Sequence, residues 1–93
     1  MTTYRKSIDP LVAAMTQKLL DKEDEKTNWK YSSIADLLSL MDGEVHELRM
    51  AFDVCNPEQV MAEAVDVANF AMMVFDNASD IVTKIKGDKD GDS

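Results

Sequence analysis

The sequence has few of the residues that build disulfide-bonded, loop-rich or membrane-spanning proteins. Among its 93 residues are one Cys, two Pro and three Gly. The single thiol excludes a disulfide framework or a cysteine zinc site within the chain, so a reducing, cytoplasmic location is expected. The apolar runs are far shorter than the roughly 20 residues that a membrane-spanning helix needs. The first residues also lack the apolar region of a signal peptide, so no targeting segment is expected.

Basic residues are scarce as well. Ten Lys and Arg stand against 18 Asp and Glu, which gives a formal net charge of −8. An acidic surface repels nucleic acids and anionic membranes, so neither is an expected partner. The hydrophobic fraction of 45% and the charged fraction of 30% are typical of a globular protein. The length fits one domain, which we assign to residues 1–86, followed by a disordered acidic tail at 87–93.

The spacing of apolar residues predicts helices and no strand. A first helix carries apolar side chains from Leu11 to Leu20. The pair Asp9–Pro10 suits its start, although a start near Tyr4 is also compatible with the pattern. The polar residues 21–31 are predicted to form a connection to the second helix.

Two longer helices follow. Ser33 and Asp36 resemble a capping box at the start of the second helix, which is predicted to end near Val54. Asn56 and Pro57 form a cap and a first helical position for the third helix, predicted to end near Ile85. So short a link between two long helices predicts an antiparallel hairpin.

The third helix is apolar on nearly every side between residues 60 and 75. A helix of this kind is buried on all sides, and one chain of this length cannot surround it. We therefore expect a homodimer or a dimer of dimers. The predicted architecture is all-α: a hairpin of two long helices plus an N-terminal helix, completed to a four-helix-bundle-type core by homo-oligomerisation.

Four carboxylates occupy positions where a helical core normally has apolar side chains. Glu44 and Glu47 form an i, i+3 pair on the second helix, and Glu63 and Asp66 form another on the third. In an antiparallel hairpin the two pairs can face each other. Burying unpaired carboxylates is costly, and the core faces of these two helices contain no Lys or Arg. Divalent Mg²⁺ or Mn²⁺ would compensate the charge; the alternative is that both pairs are solvated acidic faces.

These two motifs resemble a known signature. The segment 44–48, E-V-H-E-L, and the segment 63–70, E-A-V-D-V-A-N-F, are similar to the ExxE…ExxD signature of the MazG-like all-α NTP pyrophosphatases. That superfamily also holds dimeric dUTPases, dCTP pyrophosphatases and phosphoribosyl-ATP pyrophosphohydrolase. The likeness extends from about Trp29 to Asn77. Gly43 stands where many members carry a further glutamate, as in subfamilies that read G-E-x-x-E-L.

The resemblance implies Mg²⁺-dependent hydrolysis of a nucleoside triphosphate to the monophosphate and pyrophosphate, as in nucleotide-pool house-cleaning. The implied metal ligands are Glu44, Glu47, Glu63 and Asp66. Either Glu44 or Glu47 would also act as the catalytic carboxylate that orients the attacking water. A phosphoribosyl-ATP pyrophosphohydrolase-like enzyme is the second candidate. A non-catalytic helical module that binds a nucleotide or a partner is the rival from a different class.

The candidate substrate-binding residues are Trp29, Lys30, Asn69, Phe70 and Asn77. In members of the superfamily, aromatic residues at places comparable to Trp29 and Phe70 pack against the base; plain core packing is the alternative for both. The two asparagines are candidates for hydrogen bonds to the sugar or the base. Lys30 is a candidate phosphate contact, with a solvated surface position as its alternative.

Overall fold

The computed structural model describes residues 2–21 and 28–91, and every regular element within these ranges is helical. Helix α1 comprises Thr2–Asp21, α2 comprises Ile34–Asp53 and α3 comprises Pro57–Gly91. A short 3₁₀ turn, Asn28–Tyr31, precedes α2. The all-α prediction is therefore confirmed. No helix in the described ranges has the length and apolarity needed to cross a lipid bilayer.

Both predicted caps of the hairpin helices are present. The Ser33 hydroxyl accepts a hydrogen bond from the Asp36 backbone N–H at 3.0 Å. The Asn56 side chain accepts one from the Gln59 backbone N–H at 3.1 Å. Each cap satisfies one of the N–H groups that the first helical turn leaves without an intrahelical partner. This is why these two starts could be predicted from local sequence.

The start of α1 differs from the one favoured by the Asp9–Pro10 pair. The helix begins at Thr2, and Pro10 lies inside it. Proline has no backbone N–H, so it cannot donate to the carbonyl group of Lys6. Both residues are exposed, so water can solvate that carbonyl group. The earlier start near Tyr4 was the closer alternative.

The third helix is longer than predicted and extends to Gly91. Gly87 does not adopt the positive φ that ends many helices, and no proline follows it, so the helix continues. The helix thus includes much of the segment predicted to be a disordered tail. Asp92 and Ser93 lie outside the described residues, as do residues 22–27 of the predicted polar connection.

A tight turn joins α2 to α3. Cys55 adopts a φ of +58° there, a left-handed conformation that is uncommon for a residue with a side chain. The backbone N–H groups of Val54, Cys55 and Asn56 donate to carbonyl groups in the last turns of α2. These bonds close the end of α2 and return the chain so that α3 packs along α2.

The core between α2 and α3 is small. Its buried apolar side chains are Leu37 and Ala51 from α2, and Val65 and Met73 from α3. Helix α1 contributes no fully buried residue within 3–21, and its Met15, Lys18 and Leu19 are half-buried. The main packing partner of α1 is α3.

Candidate functional site

Three of the four predicted metal ligands converge between α2 and α3. One carboxylate oxygen each of Glu44, Glu63 and Asp66 lies within 4.8 Å of the other two. We refer to these three residues as the carboxylate cluster. Glu44 is seven residues from each of the buried residues Leu37 and Ala51, so packing of that stripe turns it toward α3. Glu63 and Asp66 are neighbours on one face of α3.

Glu63 is the most buried member of the cluster, with 8% of its surface exposed. Gln59, one turn earlier, donates a hydrogen bond from Nε2 to Glu63 Oε2 at 3.0 Å. The other oxygen, Oε1, is buried and has no hydrogen-bond partner among the described residues. A buried acceptor without a donor is destabilising, so this oxygen can accept either a proton donor such as protonated Glu44 or a cation.

Asp66 has a basic partner that sequence reasoning missed. Lys18 of α1 donates from Nζ to Asp66 Oδ1 at 2.7 Å and lies 3.3 Å from the carbonyl oxygen of Ala62. The search for a basic partner in the sequence considered only the core faces of α2 and α3, whereas this partner comes from α1. Lys18 is three residues after Met15 and seven after Leu11, so it lies on the apolar face of α1. That position was the available signal.

The carboxylates of the cluster repel one another. Burial, followed by repulsion from the carboxylates of Asp66 and Glu63 and by a side-chain hydrogen bond between protonated Glu44 and Glu63, raises the pKa of Glu44 above its ordinary value of 4.5. Glu47 contributes the smallest part of this effect. Like charges at such short separation favour protonation of one member of the group.

Glu47, the fourth predicted ligand, is not part of the cluster. Its side chain is exposed, whereas that of Glu44, three residues earlier, is half-buried. On a helical wheel of α2, Glu44 lies within the arc of apolar residues and Glu47 lies at its edge, which is consistent with this exposure. The α2–α3 hairpin therefore brings together three carboxylates and leaves the fourth beside them on the surface.

Asn69 and Phe70 lie one turn beyond Asp66 along α3. Asn69 is buried and donates from Nδ2 to the carbonyl oxygen of Met15 in α1 at 3.4 Å. Its Oδ1 is buried without a hydrogen-bond partner in the described structure. Phe70 is half-buried. These two predicted substrate-binding residues thus lie close to the cluster on the same helix.

Trp29, Lys30 and Asn77 form a separate group. Asn77 is buried, and its Nδ2 donates to the carbonyl oxygens of Ser32 at 3.0 Å and Trp29 at 3.4 Å. Lys30 Nζ lies 3.4 Å from Asp76 Oδ2 and 5.5 Å from the centroid of the Trp29 ring. Asn77 follows Asp66 by three helical turns, which is about 16 Å along the axis. The described contacts of this group attach the 3₁₀ turn to α3.

The donor set of the cluster suits a hard divalent cation. Mg²⁺ and Mn²⁺ prefer oxygen ligands, and all three side chains supply carboxylate oxygens. In the described ranges Lys18 is the one basic side chain that contacts the cluster, so negative charge remains in excess. A bound cation would reduce this excess and could contact Glu63 Oε1, the oxygen without a hydrogen-bond partner.

The chain matches no protein-family model, and it matches neither a curated protein nor a solved structure. The chemistry of the cluster and of the residues around it is therefore the basis for a functional interpretation.

Proposed function

We propose that the chain is a Mg²⁺-dependent nucleoside triphosphate pyrophosphohydrolase of the MazG-like type, which releases a nucleoside monophosphate and pyrophosphate. The carboxylate cluster, with its buried and unpartnered Glu63 oxygen, is the observation that supports this proposal. Carboxylates at this spacing attract a divalent cation rather than a triphosphate, which shares their negative charge. A triphosphate therefore requires the cation at this site.

Glu44, Glu63 and Asp66 are the proposed Mg²⁺ ligands. When bound, Mg²⁺ supplies positive charge that attracts the triphosphate and stabilises the charge developing on it during hydrolysis. The chain itself contributes rigid placement of these carboxylates through helix packing and through the Gln59–Glu63 hydrogen bond. Such placement reduces the reorganisation needed during the reaction.

Glu47 is the proposed catalytic carboxylate. Its exposed side chain lies outside the cluster but one turn from Glu44. It can therefore accept a proton from the attacking water while the three metal ligands keep their charge. Glu44 is less suited to this role because its own charge is needed to hold the cation. Phe70 and Asn69, one turn from Asp66, are the proposed contacts of the nucleoside, with Trp29 and Lys30 at a greater distance.

A second copy of the chain is the proposed cover for the exposed apolar side chains. On α2, Leu38, Val45 and Phe52 recur every seven residues, and all are exposed. On α3, Met61, Phe75 and Val82 follow the same heptad positions and are also exposed. Apolar side chains repeated at this interval are typical of helices that pack against other helices. They support a dimer or a dimer of dimers with a bundle-type core.

One observation favours the non-catalytic alternative. The Lys18–Asp66 ion pair already supplies a positive charge, so part of the cluster is compensated without any metal. A helical interaction module could retain such a pair for structural reasons. Activity that depends on a divalent metal distinguishes the enzyme from the interaction module, because the module has no need of a cation.

The test is pyrophosphate release from a panel of canonical and modified nucleoside triphosphates, with Mg²⁺ and with a chelator. We expect Mg²⁺-dependent release that Asp66→Asn abolishes while the helical content stays unchanged. Asp80→Asn, at an exposed position of the same helix, is the matched control and should retain activity. Activity that persists in Asp66→Asn, or no release from any triphosphate, would contradict the proposal.

A further inference from the structure

The contact between Lys18 and Asp66 joins two helices at the carboxylate cluster. The ammonium group has two acceptors on α3, the Asp66 carboxylate at 2.7 Å and the Ala62 carbonyl oxygen at 3.3 Å. The Lys18 side chain is 33% exposed and the Asp66 side chain is 21% exposed. The pair is thus partly shielded from water, and its electrostatic interaction is stronger than that of a surface pair.

Helix α1 is held on α3 by few interactions. Its half-buried residues are Met15, Lys18 and Leu19, and no described residue of α1 is fully buried. Besides the Lys18 contacts, the hydrogen bond from Asn69 to the Met15 carbonyl oxygen is the described polar link between the two helices. The docking of α1 therefore depends on the same segment of α3 that carries the cluster.

We infer that Lys18 is an internal counter-ion of the carboxylate cluster, and that a divalent cation entering the cluster displaces it from Asp66. The cation and the ammonium group would share one carboxylate, and their like charges repel at this distance. Each therefore lowers the affinity of the cluster for the other. Because coupling is reciprocal, metal binding also weakens the docking of the C-terminal turns of α1. Lys18 thereby lowers the affinity of the cluster for a divalent cation.

The inference rests on the metal centre of the proposed function, and Mn²⁺ alone is the probe that tests it. We would titrate the full-length chain with Mn²⁺ and follow free Mn²⁺ by electron paramagnetic resonance, with no nucleotide present. Lys18→Met should lower the Mn²⁺ Kd by about 5- to 150-fold, the usual range of coupling between two sites. Lys18→Arg, which keeps the positive charge, should bind much as the original chain does.

Lys6→Met is the matched control because it removes an exposed lysine from the same helix and makes the same change in net charge. It should leave the Kd nearly unchanged. Hydrogen exchange gives a second readout: Mn²⁺ should speed exchange in residues 14–21 of the original chain. Circular dichroism checks that each variant is folded. If Lys18→Met does not fold, Lys18→Gln is used in its place.

If the original chain and Lys18→Met both bound Mn²⁺, and the Kd of the variant were equal or higher, the inference would be wrong. The proposed metal centre would still be supported. No Mn²⁺ binding by any variant would overturn the metal centre and the inference together. The expected shift in Kd without any triphosphate hydrolysis would support the inference and contradict the proposed activity.

Discussion

Gln59 and Glu63, one turn apart on α3, are joined by a 3.0 Å hydrogen bond that occupies only one of the two carboxylate oxygens. The bond orients the carboxylate, while its other oxygen stays buried without a partner in the described structure. A purely structural glutamate at this depth would be expected to have donors for both oxygens. In the proposed metal centre, the neighbouring amide would hold this ligand in position.

Glu63→Gln should stabilise the metal-free chain. The substitution removes a buried charge and adds an amide that can donate to the neighbouring carboxylates of Glu44 or Asp66. We expect the free energy of unfolding in urea, with a chelator present, to rise by about 1 kcal/mol. Mn²⁺ should raise the Tm of the original chain but not that of the variant. Glu58→Gln, at an exposed position of α3, should show neither change.

A different result would change the assignment of Glu63. If Glu63→Gln destabilised the metal-free chain and kept the Mn²⁺-induced increase in Tm, the unpartnered oxygen would have no role in metal binding.

The stability of the metal-free chain should depend on the protonation of Glu44. Burial and the neighbouring carboxylates raise the pKa of Glu44 above 4.5, so the folded state binds this proton more tightly than the unfolded state. The contribution of Glu44 is therefore most favourable below pH 4.5 and is lost as the pH rises through the raised pKa. Glu44→Gln should have nearly the original Tm at pH 4 and a higher Tm at pH 7.

Thermal unfolding followed by circular dichroism between pH 4 and pH 8, with a chelator present, measures this difference. Asp42→Asn, an exposed carboxylate on the same helix, should not reproduce the effect. A Tm difference between Glu44→Gln and the original chain that does not change with pH would contradict the prediction.

Local sequence was sufficient to predict the starts of α2 and α3, because each depends on a cap and residues within one turn. It also placed Glu44 in the apolar stripe of α2, since the heptad with Leu37 and Ala51 is visible in the sequence. The start of α1 was harder to predict. A proline preceded by a good cap usually marks a helix start, but here the exposed surface around Pro10 lets the helix pass through it.

The part of the site that sequence could not supply is the docking of α1. Lys18 and Asp66 are 48 residues apart, and no local pattern fixes how a helix with three half-buried side chains lies on another. The exposure of Glu47 was equally hard to predict, because a residue at the edge of an apolar arc is buried or exposed according to small rotations of the helix. Both outcomes depend on tertiary packing.

Asn77 should be needed to hold the 3₁₀ turn on α3. Its buried amide donates to the carbonyl oxygens of Ser32 and Trp29, so Asn77→Ala leaves both acceptors without that donor. We expect the free energy of unfolding to fall by about 1–3 kcal/mol in urea. The fluorescence of Trp29, the single tryptophan, should shift to longer wavelength as its surroundings become wetter. Ser79→Ala, at an exposed position of α3, is the control. If Asn77→Ala kept its stability but raised the KM of the proposed reaction, the substrate-binding role of Asn77 would be favoured instead.

Trp29 should contribute to binding of the base in the proposed reaction. Its ring is half-buried and has the Lys30 ammonium group 5.5 Å from its centroid, a distance compatible with a cation–π contact. Stacking on an aromatic ring contributes roughly 1–3 kcal/mol per base, so Trp29→Ala should raise KM by about 5- to 150-fold with less effect on kcat. Trp29→Phe should retain most of the affinity. A lower Tm with an unchanged KM would place Trp29 in the core.

The exposed heptad residues should mediate self-association. Phe52 of α2 and Phe75 of α3 are 70% and 75% exposed in the single chain, which is unusual for two large apolar side chains. A two-fold interface buries each such residue twice, so Phe52→Lys removes two apolar contacts of about 1.5–3 kcal/mol each. The dimer Kd should therefore rise by about a hundredfold or more.

Sedimentation velocity at micromolar concentration gives the test. Ser39→Lys is the matched control, since it adds the same charge at an exposed position on another side of α2. It should sediment as the original chain does, whereas Phe52→Lys should sediment as a monomer. If the original chain were a fully folded monomer, the exposed heptad residues would have no role in assembly. Their side chains would then be tolerated in water without a second copy to cover them.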